Sequence, residues 1–185
     1  MSQRQGLWRN ADFIRVWVAT TISLFGSRIT ALALPLAAIQ VLDAGAFELG
    51  LLGTLGMLPF LLVSLVVGVW VDRLRRRPIL VAADLVRAAL LITIPIAFLL
   101  GSLTIWHLYL VALLAGVGDV FFDVAYDAYV PGLVGRDRLV EANARFEASR
   151  SVAQLTGPGA AGLLISALSA PIAITLDAVS YLVSG

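Results

Sequence analysis

Residues 49–77 read LGLLGTLGMLPFLLVSLVVGVWVDRLRRR, an uncharged apolar run that closes in a cluster of arginines. The apolar part, Leu49–Val71, is long enough to cross the hydrocarbon core of a bilayer, which takes about 20 helical residues. The rest of the chain shares this composition, since 60% of its 185 residues are hydrophobic, 14% are charged and the mean hydropathy is +0.95. A soluble domain of this size cannot bury so much apolar surface, so we predict an all-α membrane protein.

Six such apolar segments alternate with short connections, which predicts six transmembrane helices. The segments are about Val16–Val41, Leu49–Val71, Ile79–Leu100, Ile105–Val130, about Val140–Leu168, and a last one from near Pro171 to Gly185. At about 15 residues the last segment is short for a span, so we expect this helix to be truncated.

Among the connections, only alternate ones contain arginines, which predicts the orientation of the chain. They precede the first span, follow the second, and lie in and after the fourth connection: Arg4, Arg9, Arg15; Arg73, Arg75, Arg76, Arg77; Arg136, Arg138, Arg145, Arg150. The other three connections contain no arginine. We therefore expect a multi-pass protein of the inner (plasma) membrane with both termini in the cytoplasm. A signal peptide cleaved within the first span is the alternative, but cleavage would remove half of that span.

Several function classes are excluded by composition. The chain has no cysteine and a single histidine, His107, so we expect no metal site and no thiol chemistry. A net charge of +1 gives no support for a nucleic-acid partner. The sequence shows no phosphate-binding glycine loop and no nucleophile–base set, so we expect neither an enzyme nor a cofactor.

A short sequence similarity between two segments divides the chain into halves. The stretch Pro78-Ile79 is followed by Asp84, and Pro171-Ile172 is followed by Asp177 at the same offset, 93 residues later. Because a unit of three spans is odd, its second copy must be inverted in the membrane, as in many secondary transporters. We therefore predict two inverted three-helix repeats, at 1–92 and 93–185.

The segment after the second span resembles the signature of the major facilitator superfamily, Gly-x-x-x-Asp-Arg-x-Gly-Arg-Arg. Arg75 replaces the second glycine of that pattern. The matching residues are Gly68, Asp72, Arg73, Arg76 and Arg77. An arginine-rich loop that only sets the topology is the alternative interpretation.

The resemblance implies roles for three of these residues. Gly68 would let two helices approach closely, and Asp72 would face the positive end of a helix in the second half of the transporter. Arg76 would bridge to an acid at the cytoplasmic end of the fourth helix, either Asp123 or Asp127.

The fifth span contains Gly157-Pro158-Gly159-Ala160-Ala161-Gly162, which resembles the antiporter motif of the same superfamily. In that motif Gly157, Pro158 and Gly162 would permit a kink and close packing, and the motif marks exporters. Ala161 departs from the pattern, so an ordinary packing face of small residues is the alternative. Further stretches resemble the branch that contains macrolide efflux and enterobactin export proteins: residues 29–35, 122–126, 141–144 and 148–154. The resemblance covers the first six of the twelve helices of such a transporter.

Four charges fall at membrane depth, where each costs about 2.5–3.5 kcal/mol to insert and is a functional candidate by default. They are Arg28, Asp119, Asp123 and Asp177. At 1.5 Å of rise per residue, Arg28 lies roughly 18 Å and Asp119 roughly 16 Å from the inner ends of their spans. We therefore predict an ion pair between these two, with Asp177 as the second choice. The ion pair between Arg28 and Asp119 would either contact substrate or protons, or be a static pair that fixes the packing of the helices.

Two further sets of charges follow helical spacing. Asp119, Asp123 and Asp127 are four residues apart and share one helix face. Such a stripe could carry protons, because a carboxyl group in apolar surroundings takes up a proton more readily. Asp84 and Arg87 are three residues apart near an inner helix end and are expected to pair.

These observations predict the amino-terminal half of a secondary active transporter, with proton-coupled efflux of hydrophobic small molecules such as drugs or siderophores. Its partners would be that substrate, protons, membrane lipid, and a second six-helix half or a second copy of itself. The alternative is a truncated, transport-inactive membrane module that acts as an interaction partner or is a fragment. An intramembrane enzyme is disfavoured because no catalytic set is visible.

Overall fold

The computed structural model describes Leu7, Asn10–Val71 and Arg73–Gly185. This part of the chain contains no strand, and its six α-helices confirm the predicted all-α architecture. The helices are α1 (Ala11–Leu42), α2 (Ala46–Val71), α3 (Arg76–Leu99), α4 (Ile105–Val134), α5 (Leu139–Leu168) and α6 (Ala170–Ser184), with a 3₁₀ turn at Arg136–Arg138. Helices α1 to α5 are long and apolar enough to cross a membrane, whereas α6 has 15 residues.

Local capping explains where the helices begin and end. The Asn10 side chain accepts hydrogen bonds from the backbone N–H groups of Asp12 and Phe13, so α1 begins before the apolar run starts. The side chain of Thr104 caps α4 in the same way, by accepting from the N–H of His107 at 3.3 Å. A single residue, Ser169, joins α5 to α6 with a φ of 75°, which turns the chain sharply.

The helices pack in a symmetric pattern. α1 packs on α5 and α6, α4 packs on α2 and α3, and α3 packs on α6. Exchanging α1 with α4, α2 with α5, and α3 with α6 reproduces the same set of contacts. Because α1 packs on α6, α6 on α3 and α3 on α4, the two helices α3 and α6 lie between α1 and α4.

Glycines make the tightest helix–helix approaches. A Cβ on Gly116 of α4 would lie 2.6 Å from the carbonyl oxygen of Gly56 on α2. A Cβ on Gly26 of α1 would lie 2.5 Å from Oδ1 of Asp177 on α6. Small residues at helix contacts are typical of membrane bundles, in which lipid supplies no hydrophobic drive and close backbone approach supplies the attraction.

The outward surface is apolar. Leu65 of α2 and Leu155 of α5 are each 84% exposed. An apolar surface of this extent requires a lipid or protein neighbour.

The arginine-bearing connections lie together at one end of the bundle. At that end Nδ2 of Asn10 donates to the carbonyl of Leu133, and Leu7 packs with Val130 and Ala142. At the opposite end Thr93 Oγ1 and His107 Nε2 share a hydrogen bond of 2.8 Å. The connections at that second end, between α1 and α2, α3 and α4, and α5 and α6, contain no arginine.

Candidate functional site

A cavity of about 580 Å³ opens between α1, α2 and α4, and α3 and α6 contribute to its base. Its walls are mainly apolar, with Leu34, Leu52 and Val111 among them. Its polar groups are Ser27, Thr30, Arg87, Asp119, Asp177 and Tyr181. An apolar cavity with a few convergent polar groups is the usual form of a small-molecule site.

Arg87 on α3 is the centre of this polar cluster. Its Nη1 lies 2.7 Å from Oδ1 of Asp119 on α4, and its Nη2 contacts Oδ1 of Asp84, one turn earlier on α3. The side chains of Arg87 and Asp84 are almost fully buried, whereas that of Asp119 is 53% exposed toward the cavity. Two carboxylates therefore share one guanidinium, and only one of the two is accessible.

Two aromatic rings hold the guanidinium between them. The Arg87 Cζ atom lies 4.4 Å from the ring centroid of Phe122 on α4 and 4.2 Å from that of Tyr181 on α6. A cation over an aromatic face is worth about 2 kcal/mol when desolvated, so each ring adds to the pairing. The Tyr181 hydroxyl shares a hydrogen bond of 2.9 Å with Ser27, which ties the cluster to α1. The cluster thus joins α1, α3, α4 and α6.

Close packing at Gly118 explains why Arg87 reaches Asp119. A Cβ on Gly118 would lie 2.7 Å from Cγ of Arg87, so only glycine lets the arginine stem lie flat against α4. The next residue on α4 is Asp119, which presents its carboxylate to the end of that stem.

The predicted pair between Arg28 and Asp119 is wrong, because Asp119 pairs with Arg87 instead. Arg28 packs its stem against α5, where a Cβ on Gly157 would lie 2.8 Å from the Arg28 Cβ. No ion pair of Arg28 is found within the described part of the chain. Equal depth in the membrane did not bring the two residues together, because α1 faces α5 and α6 while α4 faces α2 and α3.

The predicted bridge from Arg76 to Asp123 or Asp127 is also wrong for the described residues, among which Arg76 makes no ion pair. Asp127 follows Gly118 by nine residues, which at 3.6 residues per turn is about half a turn around α4. Because Gly118 faces α3, Asp127 faces away from it. Asp123 is likewise exposed.

The other residues of the loop motif are Gly68, Asp72, Arg73 and Arg77. Asp72 lies outside the described residues. Arg73 and Arg77 are exposed, and a Cβ on Gly68 would have nothing within 4 Å. The close helix approach implied for Gly68 is therefore not made by the described residues of this chain.

The antiporter-like stretch, residues 157–162 of α5, is partly buried against α1 and partly exposed. Gly157 is buried against Arg28, whereas Pro158 is exposed and a Cβ on Gly162 would meet open space. The predicted close packing is thus present at Gly157 alone of these three residues.

Sequence reasoning missed Phe122, Tyr181 and Ser27. Phe122 follows Asp119 by three residues and Tyr181 follows Asp177 by four, so helical spacing places each on the face of a candidate acid. Ser27 carries no signal in the sequence, because a serine in a membrane helix usually bonds its own backbone.

The sequence profile described as the Major Facilitator Superfamily matches residues 16–185. The chain is 26% identical to macrolide efflux protein A of Streptococcus pyogenes over 172 residues, 93% of this chain and 42% of that protein. It is 32% identical to the multidrug efflux pump Tap of Mycolicibacterium fortuitum over 149 residues, 77% of this chain and 36% of Tap. It is 22% identical to the uncharacterized MFS-type transporter YkuC of Bacillus subtilis over 97% of this chain and 41% of YkuC. The chain thus spans about two fifths of the length of these relatives. No solved structure matches it.

Proposed function

Because this chain belongs to the Major Facilitator Superfamily, a family of transporters and not of enzymes, we propose that it forms the amino-terminal half of a secondary active exporter. It is a multi-pass membrane protein. The observation that carries the proposal is the cluster of Arg87, Asp119 and Asp177 at the base of an otherwise apolar cavity. Charges at membrane depth are retained where they meet a transported ion or substrate.

The substrate class that fits the cavity is a hydrophobic small molecule. Apolar side chains form most of its wall, and its polar groups converge at one place, the base. Relatives named for macrolide efflux and multidrug efflux support drugs as the substrate. Siderophores are the other class that the sequence resemblance implies.

Proton coupling is the energy source that the polar groups support. Asp119 is half exposed in the cavity, and Asp123 and Asp127 continue the same face of α4 toward the arginine-bearing end. Carboxyl groups that exchange between ionised and neutral forms can couple a proton gradient to a conformational change.

Two three-helix repeats, α1–α3 and α4–α6, account for the packing. The boundary predicted from the sequence, between residues 92 and 93, falls inside α3 (Arg76–Leu99), so the division between the repeats belongs in the connection that follows α3. The main helix contacts, those of α1 with α5 and α6, of α4 with α2 and α3, and of α3 with α6, are unchanged when α1–α3 are exchanged with α4–α6. Gly26 of α1 and Gly118 of α4, which are 92 residues apart, make corresponding close approaches to α6 and α3. Both observations support the repeat that Asp84 and Asp177 suggest in the sequence.

A second six-helix unit would complete the cavity. Alternating access needs two bundles that move about one site, and this chain supplies one wall. The relatives are more than twice as long as the matched region, which supports a second half over a second copy of the chain. A transport-inactive interaction module is the competing function, and it predicts no flux in the experiment below.

The orientation can be tested by cysteine labelling, because these 185 residues contain no cysteine. We expect Ser102→Cys, exposed between α3 and α4, to react with a membrane-impermeant maleimide in intact cells. Asp137→Cys, exposed at the arginine-bearing end, should react only after permeabilisation, because the positive end stays in the cytoplasm. The opposite labelling pattern would contradict cytoplasmic termini.

Transport itself can be tested with the complete protein in liposomes. We expect a radiolabelled macrolide to accumulate in liposomes with an acidic lumen above the level in protein-free liposomes, and a protonophore to abolish the accumulation. Accumulation that is unchanged by the protonophore would refute proton coupling but would still support transport of the macrolide. No accumulation of macrolides or of other hydrophobic drugs would favour the interaction module.

A further inference from the structure

Asp84 and Asp177 occupy corresponding positions in the two halves but have different partners. Each is 1% exposed, and they are 93 residues apart. Three residues after Asp84 stands Arg87, which pairs with it. Three residues after Asp177 stands Ser180, which is neutral. The bundle therefore buries two similar acids and supplies a cation to only one of them.

The groups found at hydrogen-bond distance from the Asp177 carboxyl group, among the described residues, are uncharged. Ser180 Oγ donates to its Oδ1 at 3.2 Å, and α1 packs closely against it at Gly26. Thr30 of α1 lines the same cavity and has a buried hydroxyl with no hydrogen bond of ordinary geometry among the described residues. No ion pair of Asp177 exists within that part of the chain.

The charged and titratable groups on the helices around Asp177 are bonded to other residues or pack against another helix. On α3 and α4, Arg87 is bonded to both Asp84 and Asp119. On α6 itself, the Tyr181 hydroxyl is bonded to Ser27. On α1, Arg28 packs against α5, and residues 151–168 of α5 contain no titratable side chain. With three carboxyl groups around one guanidinium, full ionisation would leave an excess of two negative charges at membrane depth.

We propose that Asp177 is a proton-binding site, which holds a proton in the conformation described here and exchanges it through the cavity during transport. An ionised carboxylate without a cation is far more costly to bury than a neutral carboxyl group with a hydrogen-bond partner. A neutral Asp177 can also donate a hydrogen bond, and the hydroxyls of Thr30 and Ser180 are acceptors.

Release of the proton has a defined route. Asp177, Arg87 and Asp119 line one cavity, and Asp119 is the exposed member. When the O–H proton of Asp177 passes to the Asp119 carboxylate, Asp177 becomes negative and attracts the Arg87 guanidinium. Protonated Asp119 releases Arg87 at the same time, so the number of charges is conserved. This exchange step rests on the proposed function, whereas the bound proton does not.

Isosteric substitutions at the two corresponding acids separate this proposal from a structural role. Asp177→Asn mimics the neutral acid, so we expect the melting midpoint of the purified complete protein to stay within about 2 °C of wild type. Asp84→Asn removes one of the two carboxylates that compensate Arg87, and we expect a midpoint lower by roughly 5–10 °C. An equal decrease of the melting midpoint in Asp177→Asn and Asp84→Asn would overturn the proposal.

Infrared spectroscopy provides a readout that needs neither substrate nor gradient. The C=O stretch of a protonated carboxyl group is resolved from the carboxylate and amide bands. We expect this band in the wild-type protein at pH 7, its loss in Asp177→Asn, and its retention in Asp177→Glu. A band of undiminished intensity in Asp177→Asn, or no band in the wild type, would overturn the proposal even if transport were normal.

The liposome assay then tests the exchange step. We expect Asp177→Asn to lose the accumulation that the pH gradient drives in the wild type, while any exchange of labelled for unlabelled substrate continues. Gradient-driven accumulation at the wild-type level in Asp177→Asn would overturn the exchange. Wild-type protein that shows the infrared band but no gradient-driven flux would instead refute the proposed function and leave the bound proton standing.

Discussion

Arg87→Met should lower the free energy of unfolding by about 3–5 kcal/mol, because it leaves Asp84 and Asp119 without the guanidinium that compensates both. The two ring contacts are lost as well. Arg28→Met is the matched control, since Arg28 is also an arginine at membrane depth but makes no ion pair with a described residue. We expect its effect to be below about 1 kcal/mol. Thermal unfolding of both purified variants in one detergent provides the comparison.

A double variant tests the cause of this loss. Arg87→Met with Asp119→Asn should recover part of the stability lost in Arg87→Met, because one of the two uncompensated carboxylates is gone. If the double variant is no more stable than the single one, the uncompensated Asp119 carboxylate does not contribute to the loss, which then comes from buried Asp84 or from packing of the arginine stem against Gly118. A loss in Arg28→Met as large as in Arg87→Met would contradict the ion-pair assignment itself.

Gly116→Ala should be the most disruptive of the small substitutions on α4. The new Cβ would lie 2.6 Å from the Gly56 carbonyl oxygen, and a backbone atom cannot move aside as a side-chain end can. Overpacking of this kind costs about 1–3 kcal/mol, which exceeds the gain of up to about 1 kcal/mol in helix propensity. We expect a lower melting midpoint and less folded protein recovered from the membrane.

Gly132→Ala is the control on the same helix. Nothing lies within 4 Å of a Cβ at Gly132, so only the gain in propensity applies and stability should stay equal or rise. Equal damage from both alanines would mean that α4 does not contact α2 at Gly116 as described.

Much of the fold could be predicted because lipid imposes a simple rule on sequence. Each spanning helix must be about 20 residues of apolar chain, so the end of α2 at Val71 and the start of α4 at Ile105 follow from where the apolar run stops or begins. The start of α2 at Ala46 and the end of α4 at Val134 lie outside the predicted runs. The start of α1 is less visible, since it depends on the Asn10 cap and not on hydropathy. Helical spacing also predicts relations within one helix, as for Asp84 with Arg87.

The site was only partly predictable, as Arg28 and Asp119 illustrate. Rise along each helix places both residues at a similar depth, but depth is one coordinate of three. Which arginine meets Asp119 depends on which helices are neighbours and how each is rotated about its axis. In the folded chain α4 turns Gly118 and Asp119 toward α3, and so Arg87 takes the place that depth alone assigns to Arg28.

Hydropathy, arginine placement and helical spacing thus determined the six helices, the end at which the arginines gather and the acids that share a face. These properties are local, because a bilayer selects for length and polarity one segment at a time. The pairing of Arg87 with two acids, its place between Phe122 and Tyr181, and the lack of a cation at Asp177 were decided by the tertiary structure. Each of these features depends on how one helix is rotated about its axis relative to its neighbour. That rotation is fixed by close packing at glycines such as Gly26 and Gly118, and it cannot be read from the sequence of one helix alone.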